Sequence, residues 1–144
     1  MNKVAVKYKI LKEGHLPEYK HVTDACADCR ANLSETVVIR PGERMTIPLG
    51  FAMGLPEGYR AVIHPRSGLA RKNGVMAVTG IIDQDFIGEV GTTLINFGTE
   101  DFIVNEGDRI CQICVEPYYH AEAVLVENLD ATERGENGWG SSGV

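Results

Sequence analysis

Thr36-Val37-Val38-Ile39-Arg40-Pro41-Gly42-Glu43-Arg44-Met45-Thr46-Ile47 reads as a strand, a turn and a second strand. Its opening β-branched run suits a pleated, half-buried surface. Pro41-Gly42 punctuates the chain inside Arg40–Glu43, and Met45-Thr46-Ile47 resumes the alternation. The same grammar repeats on both sides. Upstream, Val4, Val6, Tyr8 and Ile10 share one strand face, with Lys3, Lys7 and Lys9 on the other. Downstream, the turn Leu55-Pro56-Glu57-Gly58 leads into a strand over Tyr59–Ile63. Period-two runs predict further strands at 75–82, 89–97, 102–104, 109–116 and 122–127, with turn signals at Asn73-Gly74, Phe97-Gly98 and Asn105–Asp108. Many short strands at this spacing define an all-β chain, a sandwich, barrel or jelly roll. One short helix fits between them, with Ser67 as cap, Leu69–Lys72 as its turn and Gly74 as its end.

The chain has 144 residues, enough for one domain with a core, and an ordinary 44% hydrophobic and 24% charged composition. No apolar run approaches the roughly 18 residues of a membrane helix, and the first residues do not form a signal-peptide core. The expected setting is intracellular, cytoplasmic or nuclear, with no membrane partner. A net charge of −6 opposes broad binding to nucleic-acid backbones. An anionic ligand would need local cations, for which Arg66, Arg71, Lys72, Arg109 and Arg134 are candidates. The folded body is expected to span 1–127. A C-terminal arm over 128–144 follows, and its Gly- and Ser-rich end cannot bury enough apolar area to fold alone.

Four cysteines form two C-x-x-C pairs, Cys26/Cys29 and Cys111/Cys114. A compact zinc ribbon needs about 15–20 residues between its pairs, far fewer than separate these. Cys111 and Cys114 also sit three apart on an expected strand and so point to opposite faces. The sequence reads as four unpaired thiols, which suits a reducing compartment.

Several polar constellations remain. Pro65-Arg66-Ser67-Gly68-Leu69-Ala70 sits where a strand enters the helix, and backbone amides there favour anions. Asp83 follows Gly80-Ile81-Ile82 directly, where a partly desolvated carboxylate could orient a water; Asp85 shares its side if the strand continues. Gln112 lies between apolar neighbours and needs a partner, either backbone or ligand. Asp28 stands among small residues, as a turn cap or a hard-cation site. In the tail, the Arg134 guanidinium can fork onto phosphate and the Trp139 indole can lie on a base.

Taken in order, residues 25–31, 65–70, 80–90, 107–112 and 134–143 resemble the five motifs of the trimeric dUTPases. Each motif alone is weak, and five in sequence are specific. The resemblance implies a jelly-roll-like distorted β-barrel, a homotrimer with active sites between subunits, and a flexible C-terminal tail. It implies Mg²⁺-assisted hydrolysis of dUTP to dUMP and pyrophosphate, keeping uracil out of DNA and supplying dUMP. By the same resemblance Asp83 orients the attacking water and contacts the sugar. A hairpin over 77–83 offers the main chain of Gly80, Ile81 and Ile82 to the uracil edge. Phe86 packs against the sugar in place of the usual tyrosine. Arg66, Ser67, Gly68 and Gln112 take the phosphates, and Gly91 lies within reach of substrate. Asp28 holds Mg²⁺ through water. Arg134 takes the terminal phosphates, while Trp139, in place of the usual phenylalanine, covers the uracil with Gly140 and Ser141 beside it. Cys26 replaces a customary glycine, which would be strained if that position needs positive φ. The rival readings are a dCTP deaminase of the same fold, which leaves the tail unexplained, a non-catalytic regulator that keeps the pocket, and a zinc protein.

Overall fold

The computed structural model describes residues 3–78 and 80–138. It contains β1 (Lys7–Ile10), β2 (Ala27–Arg30), β3 (Val37–Ile39), β4 (Arg44–Gly54), β5 (Tyr59–Pro65), α1 (Ser67–Asn73), β6 (Val75–Val78), β7 (Ile81–Ile82), β8 (Glu89–Asn96), β9 (Phe102–Val104) and β10 (Arg109–Pro117). The strands form three antiparallel sheets. One runs β1-β4-β8-β6, a second β2-β10-β5-β7, and β3 pairs with β9 alone. The all-β class with one short helix therefore stands.

The strand–turn–strand segment over 36–47 forms as two strands, but they do not pair with each other. β3 goes to β9, whereas β4 joins β8 and β1. The turn at Gly42, with φ 79°, thus passes the chain from one sheet to another. β4 is longer than the pattern predicts because it bends. Its register against β8 shifts between Pro48 and Ala52, where Gly50 takes φ 76°. An extra residue in a strand produces such a bend. One half of β4 then packs on β8 and the other on β1. Ile39, Ile47, Leu49, Phe51, Ile63, Leu94, Ile110 and Ile113 are fully buried and form the core between the sheets. Val6 and Tyr8 pack against this core, while Val4 and Ile10 remain exposed.

Four expectations need correction. Ser67 is the first helical residue rather than the cap; Arg66 occupies the cap position, with no side-chain cap bond. Gly74 does end the helix in the left-handed region. Residues 77–83 are not a hairpin, since β6 pairs with β8 and β7 with β5. The strand over 122–127 is absent, and this segment is exposed, with Leu125 at 96%. An isolated strand has nothing to satisfy its N–H and C=O groups, so its apolar run stays unpaired in a single chain. Finally, the cysteines are not four free thiols. Cys26 and Cys114 are joined as a disulfide, while Cys29 and Cys111 are free and buried.

The disulfide follows from register. β2 lies antiparallel to β10 with Asp28 opposite Gln112 and Ala27 opposite Ile113, which brings positions 26 and 114 face to face. Across the same ladder Cys29 faces Cys111. A hydrogen bond with Cys111, together with burial, pushes the Cys29 thiol well above its ordinary range, which leaves it an inert core group. The cysteine argument for a reducing compartment loses its basis. Cys26 is also unstrained, because no non-glycine among the described residues has positive φ.

Candidate active site

Asp28 organises the cationic half of the site. Its main chain is fixed on both edges: Glu18 and Asp28 exchange N–H···O bonds of 3.1 and 2.9 Å, and Gln112 faces it on β10. Its carboxylate is only 16% exposed and lies between two guanidiniums. Arg66 Nε donates to Oδ1 at 2.9 Å and Nη2 to Oδ2 at 3.4 Å. Arg109 Nη1 donates to Oδ2 at 3.3 Å. The third Arg66 nitrogen, Nη1, donates to the Arg109 carbonyl at 2.9 Å. Two cations flank one anion, so the cluster keeps a net positive charge within a chain of net charge −6. Gln112 Nε2 donates to the Pro65 carbonyl at 2.9 Å, so its partner is backbone.

These groups line a cleft of about 860 Å³ together with Ser67, Gly68 and Lys72. Of the candidate local cations, Arg66, Lys72 and Arg109 meet here, and Arg71 and Arg134 do not line the cleft. Lys20, His21, Asp24 and Cys26 complete its wall. The loop bearing Lys20, His21 and Asp24 had no signal in the sequence, because the Glu18–Asp28 bridge that carries it there is a long-range pairing.

The second half lies at the end of β7. Gly80, Ile81, Ile82, Asp83, Phe86 and Gly91 line one cavity of about 240 Å³ with Glu89 and Val90. β7 is the last strand of its sheet, so one backbone edge of Ile81 and Ile82 faces away from β5. This is the feature that the expected hairpin was meant to supply, reached by a different topology. Asp83 is exposed in the single chain, contrary to the expected partial desolvation, because only its own short turn surrounds it. That turn is closed by the Phe86 N–H donating to the Asp83 carbonyl at 3.2 Å. The strand does not continue, so Asp85 sits in the turn, where it and Asp83 line a common cleft. The same cleft is lined by Arg60, Tyr118 and His120, none of which the sequence marked.

The cationic cleft and the β7 cavity share no lining residue. Arg134 is with neither. Its Nε donates to the Asn137 carbonyl at 2.8 Å and its Nη2 to the Gly138 carbonyl at 3.1 Å. Trp139, Gly140 and Ser141 lie outside the described residues.

Among the described residues no group of three or more His, Cys, Asp or Glu side chains gathers, and both Asp28 oxygens already accept from arginine. A dedicated protein cage is therefore absent there. Asp24 and Asp28 beside a cationic cleft do fit Mg²⁺ that arrives with phosphates and keeps most of its waters.

The chain is an all-β protein whose antiparallel sheets carry a cationic cleft and a separate edge-strand cavity. Residues 12–143 match the dUTPase family model, and the chain belongs to the dUTPase family. It is 46% identical over 132 residues to the deoxyuridine 5'-triphosphate nucleotidohydrolase of Beijerinckia indica, covering 89% of this chain and 82% of that protein. It is 42% identical to the enzyme of the same name from Syntrophotalea carbinolica, with 99% of each chain covered. Among solved structures, a Staphylococcus bacteriophage 80alpha dUTPase variant with dUpNHpp superposes with a TM-score of 0.88 at 29% identity, covering 99% of this chain and all of that one. The dUTPase of phage phi11 of S. aureus, a structure concerned with the coordination of a structural Mg(II) ion, superposes with a TM-score of 0.80 at 26% identity, over 89% of this chain.

Proposed function

We propose that the chain hydrolyses dUTP to dUMP and pyrophosphate, in a homotrimer whose active sites lie between subunits. The observation that carries this reading is the division of the family's motif residues into two cavities with no common wall. One is cationic and fits phosphates. The other is small, partly apolar and edged by free strand backbone, and fits a nucleoside. One nucleotide uses both when a second copy brings its cavity to the first copy's cleft. Exposed apolar side chains support assembly: Val38 and Ile103 face each other across β3 and β9 and both remain solvent-accessible.

In this reading the outer edge of Ile81 and Ile82 meets the uracil, and Gly80 lets it approach. A fixed pattern of N–H and C=O groups accepts uracil and rejects cytosine, whose donors are reversed; a snug cavity excludes the thymine methyl. Phe86 occupies the space a 2′-hydroxyl would need, and Gly91 lines the floor. Asp83 accepts a hydrogen bond from the water and orients it towards the α-phosphorus in line with the leaving pyrophosphate. Desolvation of Asp83 comes from the neighbouring chain and the nucleotide. Arg66, Ser67, Gly68 and Gln112 donate to the phosphate oxygens, and Arg109 balances Asp28 when Arg66 turns to the substrate. Mg²⁺, held through water at Asp28, would neutralise charge on the phosphate chain when bound. The tail over 134–144 closes last, with Arg134 leaving its own carbonyls for the terminal phosphates and Trp139 covering the base.

Pyrophosphate release from dUTP, dTTP, dCTP and UTP tests the reading. Near-exclusive use of dUTP is expected, and Asp83→Asn should abolish release while leaving dUTP binding largely intact. Ammonia release from dCTP, or unchanged turnover of the Asp83→Asn protein, would overturn it.

A further inference from the structure

Gly88 touches the Phe86 ring without lining the cavity that the ring helps to form. A Cβ placed on Gly88 would stand 2.9 Å from Phe86 Cζ and 3.1 Å from Cε2. Non-bonded carbons settle at about 3.5–4.0 Å. The Gly88 backbone is not in the left-handed region, so the main chain does not itself demand glycine there. The ring does. Phe86 is 45% exposed. Its main chain is held by the turn bond to Asp83, but that bond leaves the side-chain torsions free.

We propose that Gly88 is a positioning residue for sugar selection. The missing side chain lets the far rim of the Phe86 ring come against the main chain, and that contact sets how far the ring reaches into the nucleoside cavity. The inference rests on the reading of Phe86 as the ring that faces the sugar. A methyl at position 88 must move the ring by about 0.6 Å or more to restore normal contact. Because the ring is half exposed, it swings outward, and the space it leaves is the space a 2′-hydroxyl needs.

Two measurements on the full-length protein separate the parts. With ¹³C-glycine labelling, the adjacent Phe86 ring should shift the Gly88 Hα resonances upfield, and Phe86→Leu should remove the shift. In steady-state assays Gly88→Ala should lower the ratio of kcat/KM for dUTP over UTP by about tenfold, the scale of a one-carbon misfit in a pocket. The same change made in the Phe86→Leu background should lower the ratio no further. An ordinary Gly88 Hα shift in the wild type would overturn the positioning role. An equal loss in both backgrounds would overturn it too, by showing that Gly88 acts independently of the ring. An upfield shift combined with a Phe86→Leu ratio equal to wild type would instead sink the sugar-facing reading of Phe86, and the specificity role with it.

Discussion

Arg66→Lys keeps the positive charge at the centre of the cationic cleft and removes its fork. Three bonds are at stake: two to Asp28 and one to the Arg109 carbonyl. An ammonium on a single stem can replace one of them. Losing two charge-assisted bonds at about 1.5 kcal/mol each gives roughly 3 kcal/mol. Arg66 is 28% exposed, and water recovers part of that, leaving about 2 kcal/mol. For a chain of 144 residues this lowers Tm by about 6 °C, so the variant stays folded at assay temperature. The catalytic effect should be the larger one. A preorganised donor aimed at developing charge is worth about 10²–10³ in rate. With the charge retained, the lower end applies: about a 100-fold fall in kcat/KM for dUTP, or ~2.7 kcal/mol. The assays are pyrophosphate release and thermal unfolding at one protein concentration. Arg71→Lys, on the last turn of α1 and outside the cleft, is the control. A lowered Tm with kcat/KM within about threefold of wild type would show that Arg66 serves only the fold, and the phosphate assignment would fall. An unchanged Tm would refute the account of the Asp28 cluster.

Gly74→Ala places a Cβ 2.7 Å from the Gly98 backbone nitrogen at a residue with φ 68°; backbone cannot give way, so a loss of about 2–4 kcal/mol is expected in urea unfolding. The Leu33 N–H and then His15 hold the Glu106 carboxyl below its ordinary 4.5. A depressed carboxylate contributes stability above the ordinary value and loses it as pH falls through the native one. The difference in urea midpoint between wild type and Glu106→Gln should therefore shrink as pH falls below 4.5; a difference that grows below pH 4.5 would contradict the depressed Glu106 carboxyl. Deleting residues 134–144 should leave a folded trimer by light scattering that has lost most dUTP turnover; full activity would remove the tail from the site.

Legibility in the sequence tracked how local each cause was. β5, β8, β9 and β10 were readable because alternation is written in neighbouring residues, as in Arg109–Val115. β2 was not, because Ala27-Asp28-Cys29-Arg30 has no β-branched or aromatic residue, although Ala27 and Cys29 face the core. Missing β2 hid the Cys26–Cys114 bond, since only the β2–β10 register sets those positions opposite one another. The supposed hairpin over 77–83 failed similarly. Val75–Val78 and Ile81–Ile82 both read as strands, but their partners, β8 and β5, belong to different sheets. The apolar run at 123–126 is strand-like, and what it lacks is a partner in its own chain.

The site shows the same division at a higher level. Motif order could nominate Asp83, Arg66 and Gln112, but it could not show that they fall into separate cavities. The cationic half is already assembled in the single chain: Asp28 pairs with β10 and with Glu18 and is held by two arginines. The nucleoside half hangs from a two-residue strand and a turn closed by one bond of 3.2 Å. Under the proposed function, selection for base and sugar would rest on small features of that turn, Phe86 and Gly88 among them, and affinity on the cluster around Asp28.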